Sequence, residues 1–414
     1  MRRWLALLAV LLFTFPAAAE EPKLSQAELD KLLAATDEIA KTVSELRKLP
    51  IKRPIARGVM SKPEILKRLV QRIDEDYAPA EIAAEELALK RLGLLPRDAD
   101  YRQMVLDLLT DQVVGFYDPQ TRELYIADWA DPGMQRMVMA HEIGHALQDQ
   151  SFDLKRFTKP NRENADEQLA HQALVEGDGV ALMIEFMFRE MGQKADPWAD
   201  DTIVNAMGAT AGLAGGAVFD KAPLALRDTL LFPYTGGLRL IAATRRTRPW
   251  SAIDAMFARP PASTEQILHP AKYEAGEKPV ALKTPPPPSV KRWKKLYSNV
   301  VGELLFSVFL REHGARKEDA DRAAAGWGGD RLHLFAPGDG PGLDDVLLVD
   351  FSVWDTETDA TEATEALEAA LAGTFDDVEG KTSTVERRGK KVLLVIGQPA
   401  DLPRLRDEIW KTWR

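Results

Sequence analysis

His141, Glu142 and His145 form an H-E-x-x-H run inside the stretch from Asp131 to Asp153. On a helix, histidines four residues apart project from one face and can close on a single metal ion. Glu142, between them, is placed to act as general base toward a water that the metal activates. The flanking residues mark the helix itself. Asp131 is a good N-cap, Pro132 suits the first helical position, and Met134, Val138, Ile143 and Leu147 supply apolar positions. A third ligand is expected from the next helical stretch, about Asn164 to Met191, which Gly192 closes. There Glu176 falls among Leu174, Val175, Val180, Leu182 and Met183, a costly place for an acid unless it is paired or bound to metal. Zinc held by His141, His145 and Glu176, with its fourth position open to water, is a hydrolytic arrangement rather than a structural one. Gly177 and Gly179 each cost about 1 kcal/mol in a helix. Close approach to the first helix would explain them.

The elements that must position these groups follow from periodicity. Leu24 to Leu46 reads as an amphipathic helix that Pro50 and Pro54 end. Ser61 and Glu64 form a capping box for a second, Pro79 to Leu92 is a third that stops at Gly93, and Tyr101 to Leu109 continues in kind. An all-helical N-terminal region is expected, integral to the fold rather than a removable propeptide. Residues 113–126 read as a β-hairpin about Asp118-Pro119. A strand edge beside the metal can pair with an extended peptide and present its backbone for attack. The uncharged run Thr202 to Phe219, rich in Gly and Ala, suits either a closely packed small-residue helix or a glycine-hinged flap. Ala222 to Phe232 reads as a helix that ends at Pro233-Tyr234-Thr235-Gly236-Gly237, and a short capped helix from Ser263 closes at His269-Pro270.

Further on, Thr284 to Ser289 is a stiff linker or surface crossing. Leu296 to His313 and Lys317 to Ala325 read as helices. Strands at 331–335 and 345–354, a helix at 358–371, a hairpin at 382–396 and a last helix at 402–413 give a ββαββα order. The expected fold is α+β and mostly helical. A signal peptide (1–19) precedes an N-terminal helical region (20–110), a catalytic core around the H-E-x-x-H helix (111–283), a Pro-rich linker with bridging helices (284–330) and a C-terminal α+β domain (331–414).

Residues 1–19 read as a signal peptide because Arg2 and Arg3 precede an apolar run from Trp4 to Phe15, with an A-x-A site at Ala17 to Ala19. That run is too short to span a bilayer comfortably, so no stable membrane insertion is expected after cleavage. Its removal deletes two arginines and no acids, taking the formal charge from −10 to −12. Acids and bases are interspersed without a basic stripe, which argues against nucleic acid as a partner. The chain has no cysteine, hence no disulfide, and an exported protein must then depend on its core and its metal. A secreted or periplasmic location is expected. The oligomeric state is left open.

HEIGH followed by E-G-D in the next helix resembles the gluzincin metallopeptidases, the group that includes thermolysin. FYDPQTRELYI, HEIGHALQDQSFDL, ALVEGDG, PYTGG, PPASTEQILHP and GWGGDR together resemble a set of secreted prokaryotic proteins described as zinc metallopeptidases, from about residue 90 onward. That resemblance implies a zincin core and a zinc site and says nothing of the substrate; the partner expected of the hydrolytic site itself is a peptide or protein. In gluzincins a Tyr or His downstream of the zinc helices donates to the oxyanion, and Tyr234 and His269 are the two candidates. The chain departs from the pattern at Val180, where those enzymes place an aspartate that orients a histidine ligand; Asp149 is the alternative orienter. His171 and His313 are expected to be structural or solvated. The expected function is endo-acting, zinc-dependent peptide hydrolysis. Its alternatives are an envelope binding or assembly factor on a zincin fold and a hydrolase of cell-wall cross-linking peptides.

Overall fold

The computed structural model describes residues 10–12, 24–129, 132–213, 216–338, 340–374, 383–397 and 402–413. Along the chain run β1 (Val10–Leu12), α1 (Gln26–Arg47), β2 (Ala56–Met60), α2 (Lys62–Asp76), α3 (Pro79–Arg91), α4 (Tyr101–Gln112), β3 (Val113–Asp118), β4 (Glu123–Ala127) and α5 (Pro132–Phe152). Next come α6 (Lys155–Thr158), α7 (Ala165–Glu190), α8 (Thr202–Leu213), α9 (Ala217–Lys221), α10 (Leu224–Arg245), α11 (Trp250–Ala258), α12 (Thr264–Leu268) and α13 (Pro270–Ala275). The last part adds β5 (Lys294–Asn299), α14 (Gly302–Glu312), α15 (Lys317–Ala324), β6 (Trp327–Ala336), β7 (Leu347–Trp354), α16 (Glu357–Thr374), β8 (Ser383–Arg388), β9 (Lys391–Ile396) and α17 (Leu402–Thr412). The fold is α+β and mostly helical, with a helical N-terminal region and a C-terminal sheet unit. Of the expected signal peptide, all but Val10–Leu12 lies outside the described residues, as does the expected cap Asp131. Among the described residues, no helix is long and apolar enough to cross a membrane.

Local signals set most helix starts. Ser25 and Glu28 close a capping box on α1, Asp100 accepts from Gln103 N–H at the start of α4, and Asn164 does the same for Glu167 N–H on α7. Helix α1 buries Leu29, Leu32, Ile39 and Val43 in the same core as α5, α7 and α10, so the N-terminal region is built into the fold. Strands β3 and β4 form the expected hairpin within a sheet ordered β1-β3-β4-β2. Strand β2 pairs parallel to β4 and has no counterpart in the sequence reading. Its half-exposed Ala-Arg-Gly-Val-Met run carries no alternation that would reveal it.

Helix α10 corrects a second expectation. It does not stop at Pro233 but continues through Gly236 and Gly237 to Arg245. The reason is a close crossing with α7. A Cβ on Gly237 would stand 2.0 Å from the Ala173 carbonyl oxygen, and one on Gly177 would stand 2.2 Å from Gly237 C. These glycines are helix-contact residues rather than breakers, and Gly177 faces α10, not the first helix. The run from Thr202 is helical as α8 and packs on α10.

The C-terminal unit is a five-stranded antiparallel sheet, β5-β6-β7-β9-β8. One face packs on α14 to α16 through Leu332, Leu348 and Leu394, and the other on α17 through Phe335, Phe351 and Leu393. Strand β5 was read as the start of a helix from Leu296; the structure instead breaks at Val300–Val301 and begins α14 at Gly302, whose φ is +78°. The Pro-rich stretch is a surface crossing, pinned where Trp413 Nε1 donates to Pro285 O at 2.7 Å.

The α7–α10 crossing predicts unequal glycine effects. Gly177→Ala should lower stability by about 1–3 kcal/mol or more, the usual penalty for overpacking. Gly208→Ala on α8 meets only Arg239 Nη2 at 3.8 Å, and should be neutral or stabilising by up to about 1 kcal/mol. Thermal denaturation of the two variants checks both.

Candidate metal centre

Helices α5 and α7 pack against each other so that three donor atoms converge. His145 Nε2 lies 2.8 Å from His141 Nε2. Glu176 Oε2 lies 3.1 Å from His141 Nε2 and 3.4 Å from His145 Nε2. All three residues are buried. Ligands about 2.0–2.1 Å from a tetrahedral ion stand about 3.3 Å apart, so this triangle fits one face of such a site. The donor set also fits chemically, because three lone-pair atoms so close need a cation or a proton among them. Gly179 makes the approach possible: a Cβ there would stand 2.7 Å from the His141 ring.

The electrostatics match that arrangement. Burial, with His145 beside it, pushes the His141 imidazole down to about 4. Burial also opposes charge on His145 and on Glu176, but their mutual attraction wins: His145 rises to about 9 and Glu176 falls to about 2.

Glu142 sits on the same helix but faces β3. Its Oε2 accepts the Tyr117 backbone N–H at 2.7 Å, and its Oε1 has no hydrogen-bond partner among the described residues. Burial raises its carboxyl to about 8, which makes the carboxylate a stronger base than an exposed one. Tyr117 is itself held, since its hydroxyl donates to Asp149 Oδ2 at 3.0 Å. Asp149 also binds Arg53 and the Leu154 N–H, so it ties β3 to α5 and does not orient a histidine.

That orienting role falls to Gln148. His145 Nδ1 donates to Gln148 Oε1 at 2.8 Å, which fixes the tautomer and leaves Nε2 free to bind a metal. Gln148 Nε2 in turn donates to Asp178 Oδ2 at 2.9 Å. Asp178 is held by Arg47 of α1, with Nε on Oδ1 at 2.7 Å, and Arg47 also reaches Asp254 at 2.7 Å and stacks over Trp250. Sequence reasoning missed Gln148 and Arg47, and assigned Asp178 no role. A glutamine three residues after a ligand carries no motif, and Arg47 is 131 positions from its partner. Only the fold joins them.

Of the two oxyanion candidates, the structure brings Tyr234 to the site, its ring stacked on His141 with centroids 6.4 Å apart. His269 stands at the α12–α13 junction, where its Nε2 pairs with Glu303 Oε1 at 2.7 Å, and it makes none of the contacts of the metal group. His171 packs edge-on against Phe157, and His313 bonds Phe309 O, both structural arrangements. A second acidic cluster, Glu265, Glu277 and Asp355, already surrounds the Lys272 ammonium.

Residues 97–212 match the family model of the IrrE N-terminal-like domain, peptidase family M78, and residues 291–406 match a domain of unknown function, DUF8575. The first match spans α4 to α8 and includes every residue of the H-H-E group. It supports a metallopeptidase-like or regulatory function in coarse terms. No curated protein and no solved structure matches the chain.

Two outcomes are expected of this network. Gln148→Leu should weaken metal affinity about 10–100-fold, the usual effect of losing a ligand's supporting partner, as competition with a chromogenic chelator would measure. Arg47→Ala leaves Asp178 buried without its partner and should cost about 3–5 kcal/mol in denaturant unfolding.

Proposed function

We propose that the chain is a secreted or periplasmic zinc-dependent peptidase that cleaves within peptides. The observation that carries this reading is the pairing of a three-donor metal group with a separately held, unpartnered carboxylate oxygen on Glu142. A purely structural site has no use for that base. Zinc, when bound by His141, His145 and Glu176, would supply Lewis acidity toward a water and a carbonyl.

The chain's own residues do the rest. Glu142 Oε1 takes the water proton and returns it to the leaving amine, while Tyr117 N–H holds the other carboxylate oxygen in place. Tyr234 donates toward the developing oxyanion. Strand β3 supports an extended substrate by main-chain pairing. Its outer edge carries β1, an extended segment of this same chain, antiparallel with Val10 opposite Phe116, one residue from Tyr117.

The test uses purified zinc-loaded protein with an unfolded protein and, separately, with cell-wall peptide fragments, each with and without chelator. Cleavage of the unfolded protein that chelator stops is expected; cleavage of wall fragments alone would move the substrate class, and no cleavage of either would sink the reading. Glu142→Gln should abolish hydrolysis while zinc remains bound. Tyr234→Phe should lower kcat about 10²–10³-fold with KM little changed, the cost of one oxyanion donor.

A further inference from the structure

A cavity of about 110 Å³ opens beside the metal group, and its inner wall includes Glu176 and Tyr234. The remaining walls are mostly apolar. Val105 and Leu109 come from α4, Leu169 from α7, Leu230 from α10, and Leu304 and Leu305 from α14. Leu169 and Glu176 lie on one face of α7 about two turns apart, so the cavity runs outward from the metal group along that helix. Its polar lining is largely spoken for: the Asp166 carboxylate is bound by the Thr264 N–H and hydroxyl, and Thr264 Oγ1 also accepts Leu304 N–H at 3.3 Å.

One wall belongs to the C-terminal unit. Helix α14 is fixed there because Asp330, on β6, accepts the Val301 and Gly302 N–H groups at 2.7 and 2.8 Å, as well as Trp327 Nε1. Asn299 Oδ1 accepts Ala165 N–H at 2.8 Å, which locks the same unit to the start of α7. The GWGGDR segment therefore positions α14 against the catalytic half.

We propose that this cleft is the specificity pocket, that it takes a bulky apolar side chain of the substrate next to the scissile bond, and that α14 makes the C-terminal unit part of substrate selection. The assignment rests on the peptidase reading above. A peptide main chain threaded into the cleft would leave N–H and C=O groups unpaired among leucines, at a cost of a few kcal/mol each. A side chain brings no such groups, and the main chain would pair with the β3 edge that β1 occupies here, β1 being part of the expected signal peptide that cleavage removes. The cavity approaches the roughly 150 Å³ of an apolar space that admits a benzene-sized ring. The occupant that fits is a Phe- or Leu-like side chain.

The experiment measures binding without turnover. Zinc-loaded full-length Glu142→Gln protein is titrated against fluorescein-labelled decapeptides identical except for a central Phe, Gly or Asp, and read by anisotropy. The Phe peptide should bind at least about tenfold more tightly than the Gly or Asp peptide. Adding Leu304→Glu should erase that preference while zinc content stays unchanged. Leu230→Trp, which fills the cleft without adding charge, should do the same if the Leu304 variant does not fold. Equal binding of all three peptides, or an unchanged preference in both cleft variants, overturns the assignment. Binding of laurate without any peptide preference overturns it in favour of a free acyl chain. The two readings fail separately. Chelator-sensitive cleavage by the wild type alongside equal peptide binding retains the peptidase and discards the cleft. Selective binding without any cleavage by the wild type does the reverse.

Discussion

Two imidazole nitrogens 2.8 Å apart, with a carboxylate oxygen within 3.4 Å of both, cannot occupy a buried space unless a proton or a cation lies among them. Much of the fold serves to hold that unfavourable group together. Helix α5 supplies the histidines at the spacing of one helical turn, and α7 brings Glu176 across from them. Gly179 lets the His141 ring approach α7, and Gly177 lets α10 press on α7 from another side. A side chain at either position would push the helices apart and open the triangle.

The support is polar as well as steric. From His145 the path runs through Gln148 and Asp178 to Arg47, whose side chain is fully buried. Such a chain is costly to desolvate and is tolerable only because every link is paired. Its far end lies on α1, which makes that helix a structural partner of the candidate metal ligands. A chain without disulfides thus uses a buried ionic network where a crosslink would otherwise tie distant segments. On the other side of α5, Asp149 and Tyr117 lock β3 so that one backbone N–H meets Glu142. The H-H-E group and Glu142 are held by separate networks, though adjacent residues of α5, Gln148 and Asp149, anchor them.

The C-terminal unit has no catalytic constellation among its described residues, yet it is joined to the site. Asp330 caps α14, α14 carries Leu304 and Leu305 into the cleft, and Asn299 fastens the start of α7. The two family matches fall on either side of this seam, one on α4 to α8 and the other on the sheet. The cleft draws walls from both and from α10, which lies between them.

The sequence alone carried what depends on local spacing. Histidines four apart imply one helix face, and an acid among apolar residues on the next helix implies a buried partner; His141, His145 and Glu176 were legible on those grounds. The helix starts at Ser61 and near Asn164 were legible, and each carries a local capping hydrogen bond. Tertiary structure decided what depends on distant partners. Gly236 and Gly237 look like a helix end until Gly177 and Ala173 lie across from Gly237. Strands β2 and β5 exist because neighbours pair with them, not because their own residues alternate strongly. Gln148 rather than Asp149 orients His145, since the direction each side chain takes from α5 and the partner waiting there set the role. Spacing along a helix fixes which groups can meet on one face. Which of them do meet, and what holds them, is fixed by elements that the chain folds back from far away.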